Sequence, residues 1–279
     1  MTLIVPAFLV IAAQAAPPAC EALEGAEKAR AEALMAGTWP HACCDDTLVA
    51  CLAATPRCRL ADRLAADICR RVDVGQPDAT ITLALRQRAW SRIPYGPPAT
   101  IDLAEAIPAG DPAAPVALVV YASPLGPNCA RMVPPLHAAV TSGALAGKVR
   151  LLLKPFPLRS TPHDTEAGQV LMAAQARGAF WDLALWTWQH TADFTLEALH
   201  AEAEARGLGG LAEEATDPAR LDALKASKRE GVELGVDSTP TFFLDGRLYR
   251  GELEVDELVD VLEEAWEATT GQDFVEATP

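Results

Sequence analysis

Two stretches of this chain read as buried strands around apolar runs, and most of the rest is written in helical periods. The runs are Val116 to Tyr121 (VALVVY) and Lys148 to Pro155 (KVRLLLKP). Both have the length and the β-branched or aliphatic character of buried strands. A helix is predicted between them from Pro127, where a missing N–H costs a first helical turn nothing. It continues through Pro134-Pro135, which predict a kink. Strand, helix and strand at this spacing make a βαβ unit with parallel strands and a right-handed crossover. A further strand is predicted at Thr241–Leu244, turned by Asp245-Gly246 onto a return strand at 247–250. Thr100–Leu103 reads as a short edge strand.

Helical spacing fills the flanks. Residues 20–36 place Leu23, Ala26, Ala29 and Leu34 on one face, and Gly37 and Pro40 end the helix. Asp45 or Asp46 is suited to cap a short helix carrying Leu48, Cys51 and Leu52. After a turn at 54–57, a second helix runs from about Cys58 to Val72, with Leu60, Leu64, Ile68 and Cys69 on one side. Residues 77–92 form another, with Ile81, Leu85 and Trp90 roughly aligned. Pro94, Gly96, Pro97 and Pro98 then read as a linker and a domain boundary. Beyond the second strand, Thr161-Pro162-His163-Asp164 has the grammar of a helix start, with Thr161 as cap and His163 as a solvated first-turn residue. Helical segments follow to Gly178 and over 195–206 and 218–234. Phe180, Trp181, Leu185, Trp186 and Trp188 between them read as the core of a helical subdomain. The last helix shows Leu253, Leu258, Val261 and Leu262 on its apolar side.

Composition narrows the setting. The 279 residues are 50% hydrophobic, enough for a sizeable core, and the net charge of −15 argues against nucleic acid or an anionic membrane surface as partner. From Gly251 onward there are ten acidic residues and no Lys or Arg, which reads as a solvated helix face and tail. At the N-terminus, residues 3–13 are an apolar run too short to span a bilayer, and Ala13-Gln14-Ala15 fits the small-x-small cleavage rule. A cleaved export signal at 1–15 follows, although the segment before the run lacks Lys and Arg; a lipid anchor on Cys20 is the alternative. No other segment is long and apolar enough to span a membrane.

In an exported chain, seven cysteines favour disulfides. Six of them, Cys20, Cys43, Cys44, Cys51, Cys58 and Cys69, lie within 50 residues, where a small helical module buries too little apolar surface to be secure without staples. Cys51 with Cys58 is one plausible bridge across the turn, and Cys69 with Cys44 or Cys43 another. Fifteen connectivities exist, and spacing does not choose among them. His41, Cys43 and Cys44 are the alternative metal set, and Cys43-Cys44 an alternative redox pair. Adjacent cysteines chelate one ion poorly, so no metal and no cofactor are expected.

The seventh, Cys129, sits near the first turn of the helix from Pro127, where unpaired backbone N–H groups can stabilise a thiolate. Strand, aromatic, short loop and Gly126-Pro127-Asn128-Cys129 together resemble the active site of the thioredoxin superfamily, and more closely its DsbA-like branch, where the four residues are C-P-x-C. Two other stretches carry the same resemblance: Gly235-Val236 followed by Thr239-Pro240-Thr241-Phe242-Phe243, and the string from Lys154 to Trp181 that opens a helical insertion.

The resemblance spans about residues 98–268 and says nothing about residues 16–95; joined to the readings of the N-terminal residues above, it leads to the following expectations. The fold is α/β, thioredoxin-like, with a helical insertion at about 161–235, preceded by a small all-α disulfide-rich module. The domains are a signal peptide at 1–15, the Cys-rich module at 16–95, the DsbA-like domain at 96–270 and an acidic tail at 271–279. Pro240 is cis and, with Thr239, faces the site. Gly126 stands where the family's nucleophile is lost, and Cys129 is the remaining resolving-type cysteine. If the six module cysteines pair, Cys129 is left over; otherwise it can pair with one of them. The partner is a polypeptide or a thiol/disulfide substrate, and the compartment is the bacterial periplasm. Three functions stay open: altered or weak thiol–disulfide exchange through Cys129, non-catalytic polypeptide binding in the groove beside Pro240, and metal binding by the Cys-rich module.

Overall fold

The structure is a computed structural model that describes residues 17–93 and 97–273. The export signal at 1–15, Pro94 and Gly96 of the linker, and the end of the acidic tail lie outside the described residues. Two compact units divide between Ala89 and Trp90.

The first unit is all-helical: α1 (Pro18–Glu21), α2 (Gly25–Ala36), α3 (Leu48–Ala53), α4 (Arg59–Asp73) and most of α5 (Asp78–Arg92). Leu60, Leu64, Ile68 and Val72 recur every four residues on α4 and are buried, which gives one apolar stripe against Leu23, Met35, Leu48 and Ile81. The cap of α3 is Thr47, whose hydroxyl accepts from Ala50 N at 3.4 Å, rather than Asp45 or Asp46. Asp46 lies one residue too far back and instead accepts from Thr47 N at 2.6 Å. Asp67 is buried and paired with Arg71 at 2.9 Å and Arg88 at 3.4 Å, which ties α4 to α5.

Three disulfides join all six module cysteines: Cys20–Cys69, Cys43–Cys58 and Cys44–Cys51. The sequence pairings of Cys51 with Cys58, and of Cys69 with Cys43 or Cys44, are therefore corrected. Helix geometry explains the second: Cys69 stands about 16 Å farther along α4 than Cys58 at 1.5 Å per residue. Only Cys58 is at the end of α4 that the 43–44 loop reaches.

The second unit holds a five-stranded sheet of order β1-β3-β2-β4-β5. β1 is Ile107–Ala109, β2 Val116–Ala122, β3 Val149–Pro155, β4 Thr241–Leu244 and β5 Arg247–Leu248. β2 and β3 run parallel, joined by α6 (Pro127–Thr141), and β4 pairs antiparallel with β2 in the register Tyr121 opposite Thr241. The insertion comprises α7 (Asp164–Ala176), α8 (Phe180–Gln189), α9 (Leu196–Ala205), α10 (Leu211–Glu214) and α11 (Pro218–Glu233), and α12 (Val255–Thr270) closes the domain. Val116, Leu118 and Val120 face a core with Leu136, Phe180 and Leu262, while Val119 and Tyr121 face a second one with Phe156 and Phe243. β2 is thus covered on both faces, as a continuous apolar run predicts.

Three local expectations are corrected. The edge strand is 107–109, not 100–103, because side chains hold the earlier segment: Asp102 N donates to Glu230 at 2.6 Å and Asp102 O accepts from Lys154 Nζ at 2.6 Å. The return strand ends at Leu248. The insertion's first helix starts at Asp164 behind an exposed, left-handed His163 (φ 60), not behind Thr161. The Asp245-Gly246 turn has both φ values positive, 47 and 77, which suits a two-residue hairpin.

Candidate functional site

The loop from Ser123 to Gly126 links the end of β2 to the first turn of α6, and β4 brings the residues before it alongside. The topology therefore gathers Gly126, Cys129, Thr239 and Pro240 at one end of the central strands. The Thr239–Pro240 peptide bond is cis. Pro127 and Asn128 on one side and Asp237 and Ser238 on the other are exposed, whereas Gly126, Thr239 and Pro240 are buried between them.

Cys129 is 0% exposed and packs among the core residues of this unit. Its sulfur accepts from Ser123 N at 3.3 Å. Burial pushes the thiol up to about 11, against the opposing pull of the Thr239 hydroxyl and the Ser123 amide. Thr239 is close enough to favour the anion, yet its hydroxyl oxygen has no partner in hydrogen-bond geometry. Its burial and this upward shift give Cys129 the surroundings of a core side chain with a weak S–H.

The glycine completes the corner. A Cβ at position 126 would stand 3.1 Å from Cys129 Sγ and 3.1 Å from both Cβ and Oγ of Ser123. A separation of about 3 Å from a Cβ to the distal sulfur is what an S–S bond of about 2.04 Å imposes. Position 126 thus meets the distance to Cys129 Sγ that a disulfide between the two positions would need.

Behind the loop lies a polar cluster that the sequence does not announce. Asp164, 0% exposed, accepts from Ser123 Oγ at 2.8 Å, Leu125 N at 2.7 Å and Leu158 N at 2.6 Å. Burial holds its carboxyl above the usual carboxylate range, and these three donors and Lys228 pull it back. Trp188 Nε1 donates to Ser123 O at 3.2 Å. In sequence Ser123 is part of the short loop before Gly126, Asp164 part of a helix start and Trp188 part of a helical core. Their sequence separations of 41 and 65 residues leave no local signal of the contact.

The family model described as thioredoxin matches residues 104–264. The chain belongs to the thioredoxin family. Its fold is the DsbA-like form. The structure of oxidised BdbD from Bacillus subtilis superposes with a TM-score of 0.53 at 14% identity, covering 61% of this chain and 97% of that one. The catalytic domain of ScsC from Proteus mirabilis gives 0.53 at 18%, covering 67% and 98%. The alpha-DsbA1 of Wolbachia pipientis gives 0.52 at 17%, covering 61% and 94%. Among curated relatives, the Na(+)/H(+) antiporter NhaA 1 of a Mycobacterium species is 27% identical over 161 residues, which is 55% of this chain and 26% of that protein. This family member thus spans about a quarter of the length of the curated relatives it matches. No described helix is long and apolar enough to cross a membrane.

In the first unit the six cysteines are all bonded, so none is available to Cys129, the one free cysteine. Cys43 and Cys44 are each spent in a disulfide. The metal set of His41, Cys43 and Cys44 and the vicinal redox pair therefore do not fit this structure, since both need free thiols or thiolates. Cys20, the alternative lipid attachment point, is bonded to Cys69.

Proposed function

We propose that this chain is an exported, periplasmic DsbA-like protein that binds polypeptides beside Pro240 and has lost the turnover of disulfides. The carrying observation is the state of its sulfur: Cys129 is wholly buried with its thiol pushed up to about 11, and Gly126 stands one turn away where an attacking cysteine is needed. Exchange needs an accessible thiolate to attack and a second thiol to resolve the mixed disulfide. The binding half of the reading is supported by the exposed rims Pro127-Asn128 and Asp237-Ser238 on either side of the Thr239–Pro240 turn. Six cysteines bonded in three disulfides support an oxidising compartment.

Insulin reduction and equilibrium binding of a reduced, carboxymethylated polypeptide test the two halves. The expected result is no insulin reduction, with saturable binding weakened by a Ser238→Arg substitution. Turnover by the unaltered protein, with a mixed disulfide trapped on Cys129, would overturn the first half. Absence of binding would overturn the second. Gly126→Cys is expected to confer insulin reduction, because position 126 already faces Cys129 at disulfide range.

A further inference from the structure

We infer that Asp164 is a positioning residue: its carboxyl clasps the Ser123–Gly126 loop to the helical insertion and so fixes where residue 126 stands relative to Cys129. Three donors from two separate segments converge on it. Ser123 Oγ and Leu125 N come from the loop, and Leu158 N comes from the chain that leaves β3. Oδ2 takes two of them and Oδ1 the third. Both oxygens must therefore accept, which a carboxylate does and an amide does not, since an Asn would turn its NH₂ against at least one donor.

Ser123 transmits the clasp. It is 0% exposed, and besides its hydroxyl its backbone N–H reaches Cys129 Sγ at 3.3 Å, while its carbonyl accepts from Trp188 at 3.2 Å and Gly126 N at 3.4 Å. The one residue thus touches Asp164 of α7, Trp188 of α8, Cys129 of α6 and Gly126 itself. The corner that puts a Cβ at 126 against Cys129 and against Ser123 is tight, at 3.1 Å on each contact. A small displacement of Ser123 moves it. Lys228 of α11 adds its charge to the same carboxyl. Hydrogen bonds to an ionised acceptor are about twice as strong as neutral ones, and the two from Ser123 and Leu125 tie the loop to α7 while the one from Leu158 ties in the chain after β3.

The test uses a disulfide as a ruler and needs no polypeptide, so its failure and the failure of the binding reading are separate. Gly126→Cys is equilibrated in the full-length chain against glutathione, alone and combined with Asp164→Asn or with Ser123→Ala. Asp164→Asn is expected to lower the equilibrium constant of the 126–129 disulfide about tenfold, a rise of about 30 mV in reduction potential. Ser123→Ala, which removes one clasp bond, is expected to lower it about threefold; it carries the test if the Asn chain does not fold. Equal constants with and without these substitutions overturn the inference, even if urea unfolding shows lower global stability. So does a Gly126→Cys parent that forms no disulfide, since position 126 would then not be held against Cys129.

Discussion

The two units use sulfur in opposite ways. In the first, six cysteines are joined in pairs around a small helical core. In the second, one unpaired cysteine lies in a much larger core built on a five-stranded sheet, with no disulfide in it. The difference follows from how much apolar surface each can bury. A sheet covered on both faces secures itself, and sulfur there is free to serve chemistry or to become one more apolar side chain. A short helical module buries too little and is held by covalent closure of its unfolded chain. The chain thus keeps its disulfides in the helical module and its one free thiol in the sheet domain.

The comparison breaks first under reduction. Replacing Cys20 and Cys69 by Ser removes the bridge that closes the longest loop, 49 residues in sequence. Loss of a native disulfide from a small domain costs about 2–5 kcal/mol. Urea unfolding followed by circular dichroism should show an early transition for the first unit, moved to lower denaturant by the double substitution. The transition of the second unit should stay in place, in the substituted protein and under strong reductant alike. A common shift of both transitions would refute the division of labour.

The second test falls on the lone thiol, and pH is the lever. Below about pH 9 the thiol is neutral in both the folded and the unfolded chain. Between there and about 11 only the unfolded chain ionises, so stability is lost as pH rises through that window. A shift of this size corresponds to a loss on the order of 2–3 kcal/mol above pH 11. The measurement is a difference: urea midpoints of the unaltered protein and of Cys129→Ala at pH 8 and pH 11.5. The Ala chain should start less stable, through the lost packing of a buried side chain, and the gap should narrow at alkaline pH. A gap that does not change would show the thiol to be solvated after all.

How much of this was legible in the sequence depends on the range of the interaction. The α/β fold was legible in VALVVY and LLL, whose short length and β-branched or aliphatic character suit strands covered on both faces, as they are here. The insertion likewise shows itself in helical periods between β3 and β4. What the sequence misplaces is set by side chains from elsewhere. Residues 100–103 have strand character, but Glu230 and Lys154 take their backbone groups. Thr161 looks like a cap, but the carboxyl of Asp164 is drawn to the Ser123 loop and the helix begins later. The partners of Cys58 and Cys69 are set by the opposite ends of α4 that they occupy, a three-dimensional fact. At the site, the four motif residues announce themselves by type and order, whereas Ser123, Asp164 and Trp188 are ordinary residues made special by contacts across 41 and 65 positions.

The smallest expected effect sharpens the contrast most finely, because it concerns one hydroxyl. Thr239 is 8% exposed, and its Oγ1 lacks a partner in hydrogen-bond geometry. A buried hydroxyl left unsatisfied carries a desolvation penalty of about 1–3 kcal/mol, and an apolar group of the same shape does not. Thr239→Val should therefore raise stability at neutral pH by about 1 kcal/mol, read as a higher urea midpoint of the second unit. The same hydroxyl favours the anionic form of Cys129, so its removal should raise the thiol further and slow the already slow alkylation of Cys129 at pH 9. The two readouts are tied together by one atom. If the Val chain is less stable and its thiol reacts faster, Thr239 is holding the corner closed by a bond to the sulfur, and the site is more nearly a working redox corner than its burial suggests. If the chain is more stable and the thiol slower, the hydroxyl is a cost retained beside Cys129 without structural return, which is the pattern left where a binding or catalytic surface has been kept for something other than stability.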